Sequence, residues 1–234
     1  MAENGEASSC AREQAILDAW RDNAQPWLRA VRGQAIASRV RVTDHAMLAA
    51  VRAQHPCTVI DLGCGEGWLV RALAREGIDG LGVDAVAALV QAAEGEGHGR
   101  FLTLDYAAVA AGALTSRFDV VACNFSLLGG ESVDAVLRAI PGLLMPGGAL
   151  VVQTLHPLAG AGSSPGSAYC DGWREGSWDG CGEGFGPAAP WYFRTLSGWI
   201  ACLVAAGLQL VQLMEPTDPH SRRPASMILV AKAA

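Results

Sequence analysis

Charge is scarce in this chain. Only 17% of its 234 residues are charged, 51% are hydrophobic, and acidic residues outnumber basic ones to leave a formal net charge of −6. With a pI near 5.3, no basic face is expected, which argues against a nucleic-acid partner. Low charge with high apolar content describes a chain that folds, not a disordered one. Long apolar runs are missing too. None reaches the roughly 18–20 residues needed to cross a bilayer, and the opening MAENGEASSC lacks the charged-then-apolar order of a secretory leader. A protein of the cytoplasm, with no membrane partner, is the expectation. The seven cysteines (Cys10, Cys57, Cys64, Cys123, Cys170, Cys181 and Cys202) contain no C-x-x-C pair. No metal site is expected, and most of these thiols fall in apolar runs where they serve as small core residues. Cys170 and Cys181 share a glycine-rich segment, but a reducing compartment disfavours their pairing.

What is present is an alternation. Residues 1–10 read as a frayed tail and residues 11–54 mostly as helices: Ala15, Ile16, Ala19 and Trp20 recur at helical spacing, as do Ile36, Val40, Met47 and Leu48. Pro26 interrupts the first stretch, and Thr43-Asp44 is placed to cap a following helix. Short apolar runs then predict buried strands at 57–62, 80–84, 101–105, 118–124 and 149–155, separated by helices at 68–75, 85–93 and 133–144. Strands alternating with helices predict a parallel sheet covered on both faces. A helix over 199–206 precedes two more strands, 208–214 and 227–232. About a dozen residues carrying Pro216, Pro219 and Pro224 separate that pair. A parallel crossover needs a dozen or more residues, usually a helix, so the pair is predicted to be antiparallel.

Residues 157–190 break the rhythm. They are rich in Gly, Pro and Ser yet carry Trp173, Trp178 and Phe185. So long a loop within a compact domain is usually functional. It reads either as a flap that closes over a pocket or as one that packs on the core.

The chemistry concentrates after the first strand, in Asp61-Leu62-Gly63-Cys64-Gly65-Glu66-Gly67. Ligands of open α/β sheets bind beyond the carboxyl ends of the strands. Glycines there allow positive φ and close backbone approach to a ligand. Asp84 ends the second strand 21 residues beyond Gly63, where an acid suits the two hydroxyls of a ribose. A nicotinamide dinucleotide loop runs G-x-G-x-x-G. Its last position here is Trp68, and the third glycine is instead Gly67. That spacing disfavours a dinucleotide. Asp61 reads as a partner for an ammonium or sulfonium group, or else as a cap on the glycine turn. Asp84 can equally cap the following helix, and Asp105 can simply lie at the surface.

Val59 to Gly67 resembles the first motif of class I S-adenosylmethionine-dependent methyltransferases, of the small-molecule type. Asp84-Ala85 resembles the ribose-binding second motif, Asp105-Tyr106 the adenine-contacting pair, and Asn124-Phe125 the residues facing the methionine part of the donor. Leu143 to Gly148 is similar to the segment before strand five. The resemblance runs motif by motif over residues 56–156 and by architecture over 195–234. It implies a doubly wound, Rossmann-like α/β fold whose seven-stranded sheet ends in an antiparallel strand. It also implies one domain made of a helical cap (11–54), a cofactor-binding core (56–156), an acceptor-side flap (157–194) and a closing helix and strand pair (195–234). The implied cofactor is S-adenosylmethionine, held by Asp61, Gly63, Cys64, Gly65, Gly67, Asp84, Ala85, Asp105, Tyr106, Asn124 and Phe125.

Other assignments follow from position. His156, just past the fifth strand, is the candidate base for an acceptor hydroxyl, or else a residue that bonds the turn. Arg39, within Ser38-Arg39-Val40-Arg41, suits the donor carboxylate in bidentate fashion, or lies on a solvated helix face. Trp20 and Trp27 read as core or as acceptor wall. Trp191 and Phe193, in a stretch resembling one before the sixth strand of small-molecule methyltransferases, are assigned to that wall. The expected activity is methyl transfer to a small molecule at O, N or C. A nicotinamide-dependent oxidoreductase and a protein that holds S-adenosylmethionine without turnover are the alternatives.

Overall fold

The computed structural model describes residues 3–160 and 169–234. Five parallel strands form the left and centre of one sheet: β1 (Thr58–Leu62), β2 (Asp79–Asp84), β3 (Arg100–Thr103), β4 (Phe118–Asn124) and β5 (Leu144–Thr154). A two-stranded hairpin, β6 (Gly172–Arg174) and β7 (Trp191–Phe193), stands apart from it. The main sheet is completed by β8 (Leu208–Met214) and β9 (Met227–Ala233), giving seven strands in the order β3-β2-β1-β4-β5-β9-β8. The expected antiparallel ending is confirmed: β9 runs against both β5 and β8. The Pro-rich connection between them forms only a tight turn with one bridge, Thr217 to Pro224.

Alternation along the strands sorts side chains to the two faces. Ile60, Leu62, Val121, Cys123, Leu150, Val152 and Leu229 pack against α6 (Tyr106–Ala110), α7 (Glu131–Leu143) and α9 (Leu196–Ala205). Val59, Val120, Ala122, Val151, Ile228 and Val230 pack against α3 (Asp44–Arg52) and α4 (Trp68–Ala74). α5 (Ala87–Gly95) closes a smaller cluster with Cys64, Val70 and Phe101. Burying both faces of β1, β4 and β5 is what made these strands read as unbroken apolar runs.

The N-terminal region differs from expectation in two places. The tail is helical, since α1 spans Glu3–Asp22 and its first residues continue the same helix. It breaks at Asn23 before α2 (Ala24–Arg32), where Pro26 sits in the first turn and forfeits no hydrogen bond. The Thr43-Asp44 cap does not form. Thr43 ends a π-helical turn, Arg39–Thr43, that runs straight into α3, so both residues have helical backbone and Thr43 makes no capping bond. No helix begins there, so no exposed N–H groups call for a cap.

The Pro146-Gly147-Gly148 segment is a bulge inside β5, not a stop before it. Phe118 pairs with Leu144 and Val120 with Ala149, so residues 145–148 oppose Asp119 alone. Gly147 is left-handed there (φ 82°). The insertion carries α8 (Pro157–Gly160) and the β6–β7 hairpin. Residues 161–168 of the expected flap, and residues 1–2 of the expected tail, lie outside the described residues. All seven cysteines are free, Cys170 and Cys181 included.

Candidate functional site

The glycine loop leaves β1 and turns back under α2 before α4 begins. Gly63, Gly65 and Gly67 all have positive φ (78°, 56° and 80°), but for different purposes. A Cβ on Gly63 would lie 2.4 Å from Ser126 Cβ, and one on Gly67 2.6 Å from the Phe101 ring. These two are glycines because the loop is wedged against the sheet. A Cβ on Gly65 would meet nothing closer than Trp27 Nε1 at 3.6 Å. Gly65 therefore keeps open a space beneath an indole, on the ligand edge of the sheet. Cys64 turns inward and is buried with Val70 and Phe101.

The acids take distinct positions. Asp84 uses both oxygens on the backbone, accepting from Gly65 N and from Val86 N at 2.8 Å each. It thus braces the loop and caps its own turn. Burial raises its pKa and these two N–H groups oppose that rise. Ala85 follows it, half-buried. Asp61 is 1% exposed and its Oδ1 has no hydrogen-bond partner among the described residues. Burial first, then the charge of Asp84, push its pKa up to about 7, against the pull of Arg39. The turn-capping role considered for Asp61 is not what that oxygen does. Asp105 is exposed and caps α6, its Oδ1 accepting from Ala108 N at 2.8 Å. Tyr106 points inward, its hydroxyl donating to Leu62 O at 3.4 Å beside Gly63.

Arg39 does not lie on a solvated face. The π-helical turn carries it inward to 9% exposure. Its guanidinium sits 5.7 Å from the Trp27 ring centroid and 5.1 Å from that of Trp68, and Nε donates to Asp44 Oδ1 at 2.9 Å. Its Nη2 is buried and unpaired among the described residues. Asn124, at the end of β4, likewise has an unpaired buried Oδ1. Buried polar groups are ordinarily satisfied within a fold. Here an amide oxygen, a guanidinium nitrogen and two carboxylate oxygens, those of Asp61 and of Glu66 in the loop itself, are left unsatisfied around one glycine loop. Phe125, next in the chain, is held at φ 54°, an uncommon conformation for a bulky residue. Ser126 behind it donates to Leu62 O at 2.6 Å and locks the β4 loop to β1.

Above the loop, Trp27 meets Trp20 edge-on (5.0 Å). Trp20 meets Trp178 edge-on (5.2 Å), and Trp178 stacks on Phe185 (4.6 Å). Asn23 ties the same two segments together, accepting from Gly186 N and donating to Pro187 O. The insertion therefore packs on the N-terminal helices, and the two together cover Gly65. Trp27 and Trp68 were not assigned to the donor side from sequence; the only signal for them was their position flanking the motif and Arg39.

Beyond the β4 and β5 ends is a second cleft, with about 20 Å³ of free space. Its walls include Phe125, Leu128, Leu155, Trp191 and Phe193. Trp191 and Phe193 thus come together on β7, their rings 5.9 Å apart. Arg194 is buried beside this cleft but fully engaged, donating to Gly129 O, Gly130 O and Asp134 Oδ1. His156 is 6% exposed. Its Nδ1 accepts from Leu158 N at 3.1 Å and its Nε2 lies 2.6 Å from Glu215 Oε1. An Nδ1 that accepts fixes the proton on Nε2, facing the carboxylate. Neither nitrogen is left to take a proton from an acceptor. The alternative considered for His156, bonding the turn, is the arrangement seen.

The model of the methyltransferase domain family matches residues 28–213 of the chain. The chain belongs to that family. The matched span takes in the glycine loop and the acids at the ends of β1, β2 and β3. Among curated relatives, this methyltransferase is similar to the ubiquinone biosynthesis O-methyltransferase of Methylococcus capsulatus, with 35% identity over 119 residues covering 49% of this chain and 48% of that protein. The matched stretch is about half the length of that relative. Among solved structures it is similar to the magnesium protoporphyrin IX methyltransferase of Synechocystis (TM-score 0.64, 16% identity, 95% of this chain and 100% of that one). It is also similar to an S-adenosylmethionine-dependent methyltransferase from Mesorhizobium loti (TM-score 0.57, 22% identity, 78% and 95%). At such identities the structural likeness shows the fold.

Proposed function

We propose that this methyltransferase holds S-adenosylmethionine over the glycine loop and methylates the hydroxyl oxygen of a small aromatic molecule. The observation that carries the donor reading is the set of unpaired buried atoms: Asp61 Oδ1, Arg39 Nη2 and Asn124 Oδ1. A carboxylate and a guanidinium that feel each other's charge match the two ends of an amino acid. Asp61 receives the ammonium, Arg39 the carboxylate, and Asn124-Phe125 lie along the methionine chain. Asp84 retains lone pairs for ribose hydroxyls while its two backbone bonds hold it rigid. Asp105 and Tyr106 take the adenine end, and Gly65 leaves the room the ligand fills.

The bound cofactor supplies an electrophilic methyl group on sulfonium sulfur. The chain contributes alignment and a dry site. The Trp20–Trp27–Trp178 cover supports exclusion of water. Phe125, Trp191 and Phe193 offer flat apolar walls to an acceptor. Oxygen is favoured by the similarity to O-methyltransferases. With both His156 nitrogens engaged, the acceptor best suited is one whose hydroxyl ionises readily. A phenol, near pKa 10 as in tyrosine, suits better than an alcohol.

The test is a thermal shift with S-adenosylmethionine, S-adenosylhomocysteine and NAD, followed by transfer of labelled methyl to a panel of phenols, amines and alcohols. A ligand of the folded state alone raises its stability by mass action. Stabilisation by the methionine derivatives and label in phenols is expected. Stabilisation by NAD alone would overturn the donor reading, and label confined to amines would overturn the acceptor reading.

A further inference from the structure

Helix α1 is held onto the fold in an unusual way. Across its described side chains, residues 9–22, only Ile16 is buried. α7, by contrast, buries Val133, Val136, Leu137, Ile140 and Leu143. Near its end Trp20 packs against Trp27 and Trp178; further from the break at Asn23 the hold is polar. Glu13 reaches the N-terminus of α7, where its Oε1 accepts from Gly130 N (2.8 Å) and Ser132 N (3.3 Å) and its Oε2 from Ser132 Oγ (2.6 Å). An anion at this end of a helix meets unsatisfied N–H groups and the positive end of the helix dipole. Near it, Arg12 lies over the Trp173 ring at 5.7 Å. At the other end of α1 the chain breaks at Asn23, which is anchored to the insertion through Gly186 and Pro187.

The Glu13 contact bears on the cleft. Gly130 lies against Tyr192, and Tyr192 N donates to Leu128 O at 2.7 Å, a bond between two residues of the cleft wall. Arg194 holds the carbonyls of Gly129 and Gly130 from the other side. The peptide next to the cleft is thus gripped on its N–H side by the helix and on its carbonyl side by the core. The free space behind is about 20 Å³, room for about one water. No aromatic acceptor enters without movement of a wall.

We infer that α1 is a lid over the acceptor cleft, hinged at Asn23 and latched by Glu13, and that the acceptor enters when this latch opens. The inference rests on the reading of the cleft as the acceptor site. Segments with few buried apolar contacts open at low free-energy cost. α1 is such a segment, and one carboxylate supplies most of its polar hold. Glu13 is here a positioning residue; it touches no reacting atom.

The experiment is hydrogen exchange by mass spectrometry on the full chain, comparing wild type with E13A, E13Q and G129A. Gly129 gives a second perturbation, because a Cβ there would lie 2.1 Å from Ser132 Oγ and 2.3 Å from Glu13 Oε2 and part that pair while leaving the carboxylate in the protein; in this variant the readout is residues 9–22 and 191–193, away from the substituted segment. Loss of bonds to a charged acceptor corresponds to about tenfold or more in the opening equilibrium. Exchange in residues 9–22 and 191–193 is expected to rise together by about that factor in E13A and G129A, joined by residues 125–130 in E13A, and by less in E13Q, which retains acceptor oxygen but no charge. Residues 136–143 are expected to stay unchanged. Unaltered exchange in α1 would overturn the inference. So would a rise in α1 without the cleft walls, and so would an equal rise in residues 136–143, which would make Glu13 only a cap for α7. Methyl transfer is scored separately on the phenol panel. Loosening of lid and walls with no phenol methylated sinks the proposed function and leaves the latch. Methylation without loosening sinks the latch alone.

Discussion

Asp61 is buried with one oxygen unpaired among the described residues, and the cost of that burial has a sign and a size. Its carboxyl moves from 3.8 to about 7 on folding, chiefly because burial removes water from the charged form. In that interval the native state keeps a proton that the unfolded chain releases. Stability is therefore unaffected below about pH 3.8, falls as pH rises, and the loss is complete above about pH 7. Three units at about 1.36 kcal/mol each amount to about 4 kcal/mol. D61N removes the titration. Its amide brings a separate penalty, a buried N–H₂ lacking acceptors, of about 1–3 kcal/mol, but that penalty does not vary with pH. The diagnostic quantity is thus the change with pH in the stability difference between variant and wild type. Between pH 5 and pH 8 that difference is expected to move by about 3 kcal/mol in favour of D61N. In a chain of this length this corresponds to about 6–12 °C in melting temperature. Thermal melts of the ligand-free proteins at both pH values measure it directly. With S-adenosylmethionine present the order is expected to reverse, because the variant has lost the partner of the donor ammonium. A stability difference that is the same at pH 5 and pH 8 would refute the reasoning.

The two glycines of the loop separate structure from binding. G67A, with a left-handed φ and a ring 2.6 Å from the new Cβ, is expected to lose about 3 kcal/mol or more of stability. G65A is expected to lose only about 1–2 kcal/mol but to abolish donor binding; calorimetry with S-adenosylhomocysteine beside urea unfolding distinguishes them. R39K cannot bridge Trp27 and Trp68 as a planar guanidinium does, so the donor Kd is expected to rise about 10–100-fold in the same titration. H156Q is expected to lower stability by about 1–2 kcal/mol through lost bonds to Glu215 and Leu158, with turnover nearly intact. A general base contributes 10²–10⁴-fold, so a fall of about a hundredfold in kcat at unchanged donor affinity would restore His156 to that role.

Much of the fold was legible in the residues. Strands buried on both faces must be apolar throughout, and those of β1, β2, β4 and β9 stood out for that reason. The glycine loop was legible because backbone conformation leaves its mark in residue type. Gly63 and Gly67 are glycines whatever the ligand, since Ser126 and Phe101 leave no space for a Cβ. The antiparallel ending was legible as well, because a connection with three prolines and no helix cannot make a crossover.

The sequence by itself therefore determined the succession of strands and helices, the antiparallel ending, the glycine loop after β1 and the acids at strand ends. The tertiary structure alone decided what those groups are free to do. Asp61 and Asp84 are both acids at strand ends, yet one has an unpaired oxygen and the other is bonded twice to the backbone. His156 read as either a base or a partner of the turn, because Glu215, the group its Nε2 faces, lies 59 residues away. Arg39 is buried by a π-helical turn, a departure from 3.6-residue spacing that apolar periodicity does not report. Glu13 gave no local signal, since its acceptor role depends on a helix terminus 117 residues further on. Local conformation is written in residue type and spacing. Whether a polar atom is spent or available depends on partners that only folding brings within reach.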